Sequence, residues 1–516
     1  MRAVVIGGGL AGLTAAIALA EQGAEVTLLE AKPRLGGATC SFNRDGLIVD
    51  TGQHVFLRCC SAYQGLLAKL GMTAHAPVQP RFDVTVLAPG RAAARLHRTA
   101  LPAPLHMLPG LAGFSLLTRS ERAKVSLAAL AMRRVNPADP ATDTIRFGDW
   151  LARHGQSEHA RRVMWDLFTI SALNIAGDDA SLSLAATVVK TGLLGDKDAA
   201  DIGVPALPLG ELHGDAAARL LTRLGARIHL STKVAGIELA SAPAFRIALA
   251  RGRAAGLPEV IGADAVVLAV PPEQAARLIP ADSLPAATVN AWSGLGASPI
   301  VNVHVIYDRK VMDLPFAAGV NSPVQWVFDR TAISGLASST HPDRTDPDRP
   351  HPDRSVPMAP TGPLDGQNGA GSPPVGTIGT LAGGTGPGTG PGSGPQYLAV
   401  SLSAGDEYVD MPVADLREKF VPALAALLPA ARDANVAEFF VTRERRATFR
   451  QAPGSGALRP PAGTKLPGLV LAGAWTDTGW PDTMEGAVRS GLAAAIELRR
   501  MRTQISTNAD SLGVRP

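Results

Sequence analysis

Gly7, Gly9 and Gly12 stand at the spacing G-x-G-x-x-G directly after the apolar run Ala3-Val4-Val5-Ile6, and a carboxylate, Glu30, closes a second apolar run, Val26-Thr27-Leu28-Leu29. Residues of these types at this spacing bind a dinucleotide. The first glycine allows a tight turn out of the strand, the second lets backbone approach a pyrophosphate, and the third lets the next helix pack closely on the strand. Leu10 and Ala11 begin that helix, whose free N–H groups and positive dipole end face the phosphates. An acid at position 30 accepts hydrogen bonds from an unphosphorylated adenosine ribose. In the loop that follows, Ala31-Lys32-Pro33-Arg34-Leu35-Gly36-Gly37, Arg34 offers charge to the diphosphate, while Gly36 and Gly37 offer clearance.

Two more segments hold groups fit for chemistry. Asp50-Thr51-Gly52-Gln53-His54 follows a short strand pattern, Gly46 to Val49, and strand ends are where open α/β sheets bind ligands. Gln53 and His54 are therefore polar candidates for the reaction site. Near the other end, Leu469 to Ala472 reads as a buried strand, and a turn containing Asp477 leads to a helical pattern running to about Arg500. Asp482 or Thr483 can cap that helix. Its N-terminus can stabilise negative charge on a bound group.

The elements that must position these groups occur in the required order: strand, glycine turn, helix, strand, acid. A secretory signal is the competing reading of the apolar N-terminus. Only Arg2 precedes the run, three glycines interrupt it, and cleavage after Ala20 would discard the glycine turn. The 516 residues exceed what one core usually organises, and 46% hydrophobic content is ample for folding. A formal charge of +4, with basic residues spread along the chain, gives no nucleic-acid footprint. Cys40, Cys59 and Cys60 form neither a disulfide framework nor a metal-ligand pattern, so they read as reduced residues in or near the core, and no metal is expected. No uninterrupted apolar run is long enough to span a membrane.

Farther along, Leu101 to Leu117 is rich in Leu, Pro and Gly. It reads either as an apolar lip that touches a membrane or admits a lipid, or as a buried, Pro-broken helix pair. Thr232 to Ile237 and Ala265 to Pro272 read as two strands of the nucleotide-binding unit. Residues 338–395 carry Pro-Asp-Arg three times and then a Gly/Pro/Thr/Ser tract, which cannot bury enough surface to offset chain entropy. They are expected to be a disordered insertion, tolerated without function, between the strand-like runs 324–328 and 397–402.

The two N-terminal motifs, with Leu471-Ala472-Gly473-Ala474-Trp475-Thr476-Asp477-Thr478-Gly479-Trp480-Pro481 and Asp482-Thr483-Met484-Glu485-Gly486-Ala487-Val488-Arg489-Ser490-Gly491, resemble the FAD-dependent amine oxidase and carotenoid desaturase superfamily. Asp50 to Phe56, Trp165 to Asn174 and Trp475 to Val488 look most like its hydroxysqualene dehydroxylases, the squalene-associated flavoproteins. The resemblance covers most of 1–330 and 396–500. It implies an α/β fold, a Rossmann-like FAD-binding domain of the amine oxidase type with an inserted α+β substrate-binding domain. FAD-binding parts would be 1–75, 226–280 and 441–500. A mainly helical substrate part would be 76–225 and a second one 281–440, with a flexible tail at 501–516.

For the cofactor, the resemblance implies that Gly52 and Gln53 lie near the isoalloxazine, that Val234 meets the adenine through its backbone, and that Gly473, Ala474, Thr483, Met484 and Glu485 complete the FAD site. Related chains usually place an acid for the ribityl chain where this one has Ala474. The implied reaction is reductive removal of the hydroxyl of hydroxysqualene to give squalene, with His54, Gln53 or Asp477 protonating or positioning the hydroxyl. Implied partners are an isoprenoid lipid substrate, an external reductant for FAD and a membrane surface, with a cytoplasmic or peripheral location on the inner face of the cell membrane. Alternatives sharing the frame are a carotenoid or phytoene-type desaturase, an amine oxidase, and a non-catalytic FAD-binding scaffold of a squalene-synthesis complex. Nine lysines and four tyrosines give little material for the lysine and aromatic cage of an amine oxidase.

Overall fold

The computed structural model describes residues 1–241, 244–250, 257–336 and 394–511. The insertion expected at 338–395 therefore lies almost wholly outside the described residues, as does the end of the expected tail, 512–516.

Strand β1 (Arg2–Ile6), helix α1 (Leu10–Glu21), β2 (Glu25–Leu29), β3 (Arg227–His229), β4 (Ala265–Leu268), β5 (Leu469–Leu471) and helix α2 (Met484–Ser511) build the nucleotide-binding unit from three distant parts of the chain. The strands form one parallel sheet in the order β5-β4-β1-β2-β3. Both faces of a parallel sheet are covered, which explains why these strands are apolar without alternation. Helix α1 is buried nearly all round, between this sheet and α2. Glycine makes that possible on both sides. A Cβ on Gly12 would stand 1.9 Å from the Gly7 carbonyl oxygen, and one on Gly491 of α2 would stand 2.3 Å from that of Ala11.

The second unit is a seven-stranded sheet in the order Val436–Thr448, Ser298–Tyr307, Gln396–Leu402, Trp326–Asp329, Phe316–Gly319, Asp83–Leu87, Ala94–His97. Its pairs are antiparallel except Phe316–Gly319 with Asp83–Leu87. Val301, Val303 and Val305 pack on helix Val413–Leu427 through Leu416, Phe420 and Leu424. The opposite face looks toward the parallel unit and a layer of short helices. The strands Trp326–Asp329 and Gln396–Leu402 pair directly on either side of the insertion, as a hairpin interrupted by it.

Three boundaries differ from those expected. Val436–Thr448 belongs whole to the second sheet, so the chain returns to the first unit after 448 rather than at 441. Leu212, Ala216, Ala217 and Leu221 already pack in the core around α1, ahead of residue 226. Helix α2 continues to Ser511, past the expected start of the tail.

The close packing of α1 on α2 carries a stability prediction. Gly491→Val should destabilise the protein by about 2 kcal/mol, because the clash is with backbone that cannot rotate away. Gly65→Ala, inside helix Ser61–Leu70 with no atom within 4 Å of the new methyl, should stabilise it by about 0.5–1 kcal/mol. Urea unfolding of the two variants beside the parent checks both signs.

Candidate functional site

The turn between β1 and α1 opens the site. Gly7 has φ of 107°, and a Cβ there would lie 2.2 Å from the Ala269 carbonyl oxygen. Its N–H donates to Leu29 O at 2.8 Å, which holds the turn against β2. Gly9 is different in kind. Its φ is an ordinary −76°, and a Cβ would meet nothing nearer than Gly37 Cα at 3.9 Å. Neither the protein's packing nor its backbone requires glycine at position 9, and the space left there is open to a ligand at the start of α1. Gly36 and Gly37 have φ of 100° and 62°, and a Cβ on Gly37 would come within 2.9 Å of Gly9 Cα, so that loop presses directly on the helix start. Leu10 and Ala11 are buried in the first turn of α1.

Glu30 is held from both sides: Oε2 accepts the Gly8 N–H and Oε1 the Lys32 N–H, each at 2.7 Å. Each oxygen keeps a further lone pair for a ribose hydroxyl. The Thr232 N–H donates to the Glu30 carbonyl at 2.8 Å, bringing Val234, two residues on and buried, to the same edge. Ala31 is exposed, and the Arg34 guanidinium donates to Cys40 Sγ at 3.0 Å. Together with the open space over Gly9, these residues fit the adenosine diphosphate half of a dinucleotide.

Across the sheet end, strand Leu47–Asp50 delivers Thr51 to His54. Asp50 is buried, accepts Ser41 Oγ at 2.6 Å and the Leu209 N–H at 3.0 Å, and forms an ion pair with buried Arg330. His54 Nδ1 donates to Gly52 O at 3.2 Å, and burial lowers its pKa, so in neutral solution its Nε2 is an acceptor. The amide of Gln53 is buried with neither nitrogen nor oxygen partnered.

Asn302 comes from the second unit. Its Nδ2 donates to Thr51 O at 3.3 Å, while its buried Oδ1 has no partner. Beside it, His304 bonds to Tyr397 at 2.7 Å and Thr442 at 3.0 Å and stacks on Phe440; burial pushes its pKa down to about 3. Thr442, Asn302, Ser401, Trp326 and Ala318 stand opposite one another across five strands and so share this face. Two strand spacings put Trp326 about 10 Å from Asn302. There an open cleft of about 440 Å³ lies between helix Asp166–Leu173 and residues 319–326, where the Trp326 indole donates to Ser171 Oγ at 2.7 Å.

The C-terminal motif divides into parts with separate duties. Gly473 has φ of 143°, and its N–H donates to Ser490 Oγ at 2.9 Å. The guanidinium of Arg459 collects the carbonyls of Ala474, Thr476 and Trp480, folding the turn. Thr483 Oγ1 accepts the Gly486 N–H at 3.2 Å and caps α2, which Met484 begins. Glu485 is buried, and its carboxylate accepts the N–H groups of Ala62 and Tyr63, at 3.2 and 2.7 Å, and Arg489 Nε at 2.7 Å. Its side chain is thus committed to the N-terminus of helix Ser61–Leu70, leaving only its backbone for a cofactor.

Asp477, a candidate for the reaction, is exposed and accepts the Gly479 N–H at 3.1 Å. It braces a surface turn, and its hydrogen bonds run to Gly479 and Pro460 rather than to Gln53 or His54. The carboxyl that is enclosed is Asp482: Oδ2 accepts the Phe449 N–H at 2.9 Å, and burial pushes its pKa up to about 6. Sequence reasoning gave it only a capping role. It gave no role to Asn302 or to buried His213, which bonds Tyr63 at 2.8 Å and whose pKa burial pushes down to about 3. Among the described residues, no group of three His, Cys, Asp or Glu could hold a metal.

A family model described as flavin containing amine oxidoreductase matches residues 10–498. A zeta-carotene desaturase of Arabidopsis thaliana is 26% identical over 99% of this chain and 89% of its own. A hydroxysqualene dehydroxylase of Rhodopseudomonas palustris is 27% identical over 95% of this chain and 96% of its own. Among solved structures, an oxidoreductase from Methanosarcina mazei superposes with a TM-score of 0.65 at 16% identity, covering 96% of this chain and all of that one.

Gly9→Ala separates binding from folding. The variant should unfold at the parent's denaturant midpoint while its affinity for the dinucleotide falls roughly tenfold or more, a cost of at least about 1.4 kcal/mol. Fluorescence titration of the apo-protein measures the affinity.

Proposed function

The chain belongs to the flavin containing amine oxidoreductase family, and from that premise we propose that it reductively removes the hydroxyl of hydroxysqualene to give squalene. FAD is the cofactor, since the family is flavin-containing and the glycine turn takes a dinucleotide. When bound and reduced, it supplies a hydride.

The observation that carries this reading is the pair of buried, uncharged amides, Gln53 and Asn302, with unpartnered polar atoms, on a sheet face that turns apolar toward Trp326 and Phe328. Unpartnered buried amides suit a neutral substrate with one hydroxyl, which can both donate to and accept from them. A pure hydrocarbon offers them nothing, and an ammonium calls for charge. Phe316, Trp326 and Phe328 line the same face toward the cleft and suit a long polyisoprenoid.

Loss of the allylic hydroxyl as water requires one proton and leaves a delocalised cation that hydride fills. His54 is kept neutral with its Nδ1–H given to the Gly52 carbonyl, so it orients rather than protonates. Asp482 stands beside the Thr483 cap of α2 in the C-terminal motif, with Oδ2 held by the Phe449 N–H, and is the carboxyl we assign as the proton's source; burial, which pushes its pKa up to about 6, favours the protonated form in weakly acid solution.

Anaerobic incubation of the flavin-loaded protein with hydroxysqualene and dithionite, followed by mass spectrometry of the lipids, tests the reaction. Squalene is expected, at a rate that falls as pH rises through about 6 in the parent and is low at every pH in Asp482→Asn. Survival of hydroxysqualene while a carotenoid precursor is oxidised would make the chain a desaturase.

We also propose that the protein works on a membrane surface. Leu101, Leu105 and Leu108 are exposed, as are Leu127 and Leu130 of the adjoining helix Arg119–Met132. The same segment buries Leu111, Phe114, Leu116 and Leu117. Exposed Arg119, Arg133 and Arg134 suit anionic headgroups. No described helix is long and apolar enough to cross a membrane. In flotation with anionic liposomes the parent should rise, whereas the Leu101→Ser, Leu105→Ser, Leu108→Ser triple variant should stay at the bottom. A triple variant that floats as well as the parent removes the lip.

A further inference from the structure

Cys59 and Cys60 are adjacent in sequence, half-buried and free. They occupy an inverse γ-turn: Cys60 has φ of −77° and ψ of 65°, and the Ser61 N–H donates back to Cys59 O at 2.9 Å. The turn leads into helix Ser61–Leu70, with Cys60 as its N-cap. The neighbouring thiol draws Cys59 below the ordinary thiol value, against burial and the Glu485 carboxylate, while the Cys59 neighbour and burial raise Cys60 well above it. The pair thus divides into a better nucleophile and a proton-keeping neighbour. Cys40 shares none of this: it is buried, and its sulfur accepts from Arg34.

We propose that Cys59 and Cys60 form a dithiol site that takes thiophilic electrophiles and is closed by peroxides to a vicinal disulfide. Cys59 Sγ, as thiolate, attacks the near oxygen of a peroxide ROOH; the O–O bond breaks, releasing the alcohol ROH, and Cys59 becomes a sulfenic acid. Cys60 Sγ then attacks Cys59 Sγ, the S–O bond breaks, and water leaves with the Cys60 proton. Two thiols and one peroxide thereby give one disulfide, one alcohol and one water, the peroxide being reduced and the sulfurs oxidised.

The site has a structural address. The first N–H groups of helix Ser61–Leu70 end on Glu485, which also bonds Arg489. Oxidation at the N-cap therefore acts on the joint that ties this helix to the start of α2.

Phenylarsine oxide, which joins two neighbouring thiols with loss of water, is the first probe. The full-length protein should take one equivalent, and both Cys59→Ser and Cys60→Ser should lose it, while Cys40→Ser keeps it. Serine preserves the N-cap at position 60. On the parent, hydrogen peroxide should lower the mass of the tryptic peptide Cys59–Lys69 by two hydrogens, reversibly with dithiothreitol. No arsenical uptake, uptake that survives in either serine variant at 59 or 60, or peroxide products that add oxygen to one sulfur without loss of two hydrogens would overturn the proposal.

Discussion

The backbone of α1 is pressed from two sides, and the cofactor cradle depends on that compression. Gly12 lets its first turn lie on the β1 turn, and Gly491 lets α2, arriving from the far end of the chain, lie on its outer face. Helix packing at this distance admits no side chain on either contact, because the atoms met are carbonyl oxygens already fixed by secondary structure. The direction of α1, and hence the aim of its N-terminal N–H groups, is therefore set by sterics and not by polar contacts. Gly9 is exempt from this packing. The space over it is kept open while both neighbouring glycines are used by the protein itself.

A second constraint orients the other unit. One face of the seven-stranded sheet changes character along a single row: Thr442 and Asn302 are polar where the sheet meets Thr51, and Trp326 and Ala318 are apolar where it meets the short helices. Strand register alone produces the gradient, since residues opposite one another share a face. A molecule lying along this row would meet amides at one end and rings at the other. The strands Trp326–Asp329 and Gln396–Leu402, far apart in sequence, pair directly, so the row is continuous across them.

What could be read from the sequence follows from how local each constraint is. The glycine turn was legible because Gly7 and Gly12 each answer a contact within a few residues or with the adjoining strand, and Glu30 answers the N–H groups of Gly8 and Lys32. The hairpin around the insertion was legible because composition changes abruptly at both ends. Asn302 was not, for in Val301-Asn302-Val303-His304-Val305 alternation marks a two-faced strand, and a polar face ordinarily meets solvent. Only the docking of Thr51 turns that face inward. Asp477 and Asp482 sit five residues apart in one turn, and which is enclosed depends on Arg459 gathering three carbonyls. Glu485 lies within a cofactor motif, yet its carboxylate serves a helix more than four hundred residues away in sequence.

The frame is shared by relatives named as zeta-carotene desaturase and as hydroxysqualene dehydroxylase, so the nucleotide cradle does not by itself choose the reaction and what surrounds the reacting carbon must. Departure of a hydroxyl puts positive charge on the substrate, and that charge must be sheltered from water until hydride arrives. A chamber built for this would keep bulk water out of reach, for a free water would capture the cation. On the sheet face, His304 and His54 are held below their ordinary values by burial, the amides of Gln53 and Asn302 carry no net charge, and the nearby charges of Asp50 and Arg330 are paired with one another. The aromatic rings farther along the row present faces that attract a delocalised cation without bonding to it. The proposed acid, Asp482, is compatible with such a chamber because its own burial favours the protonated form. The same burial that makes a carboxylate costly there thus favours an acid.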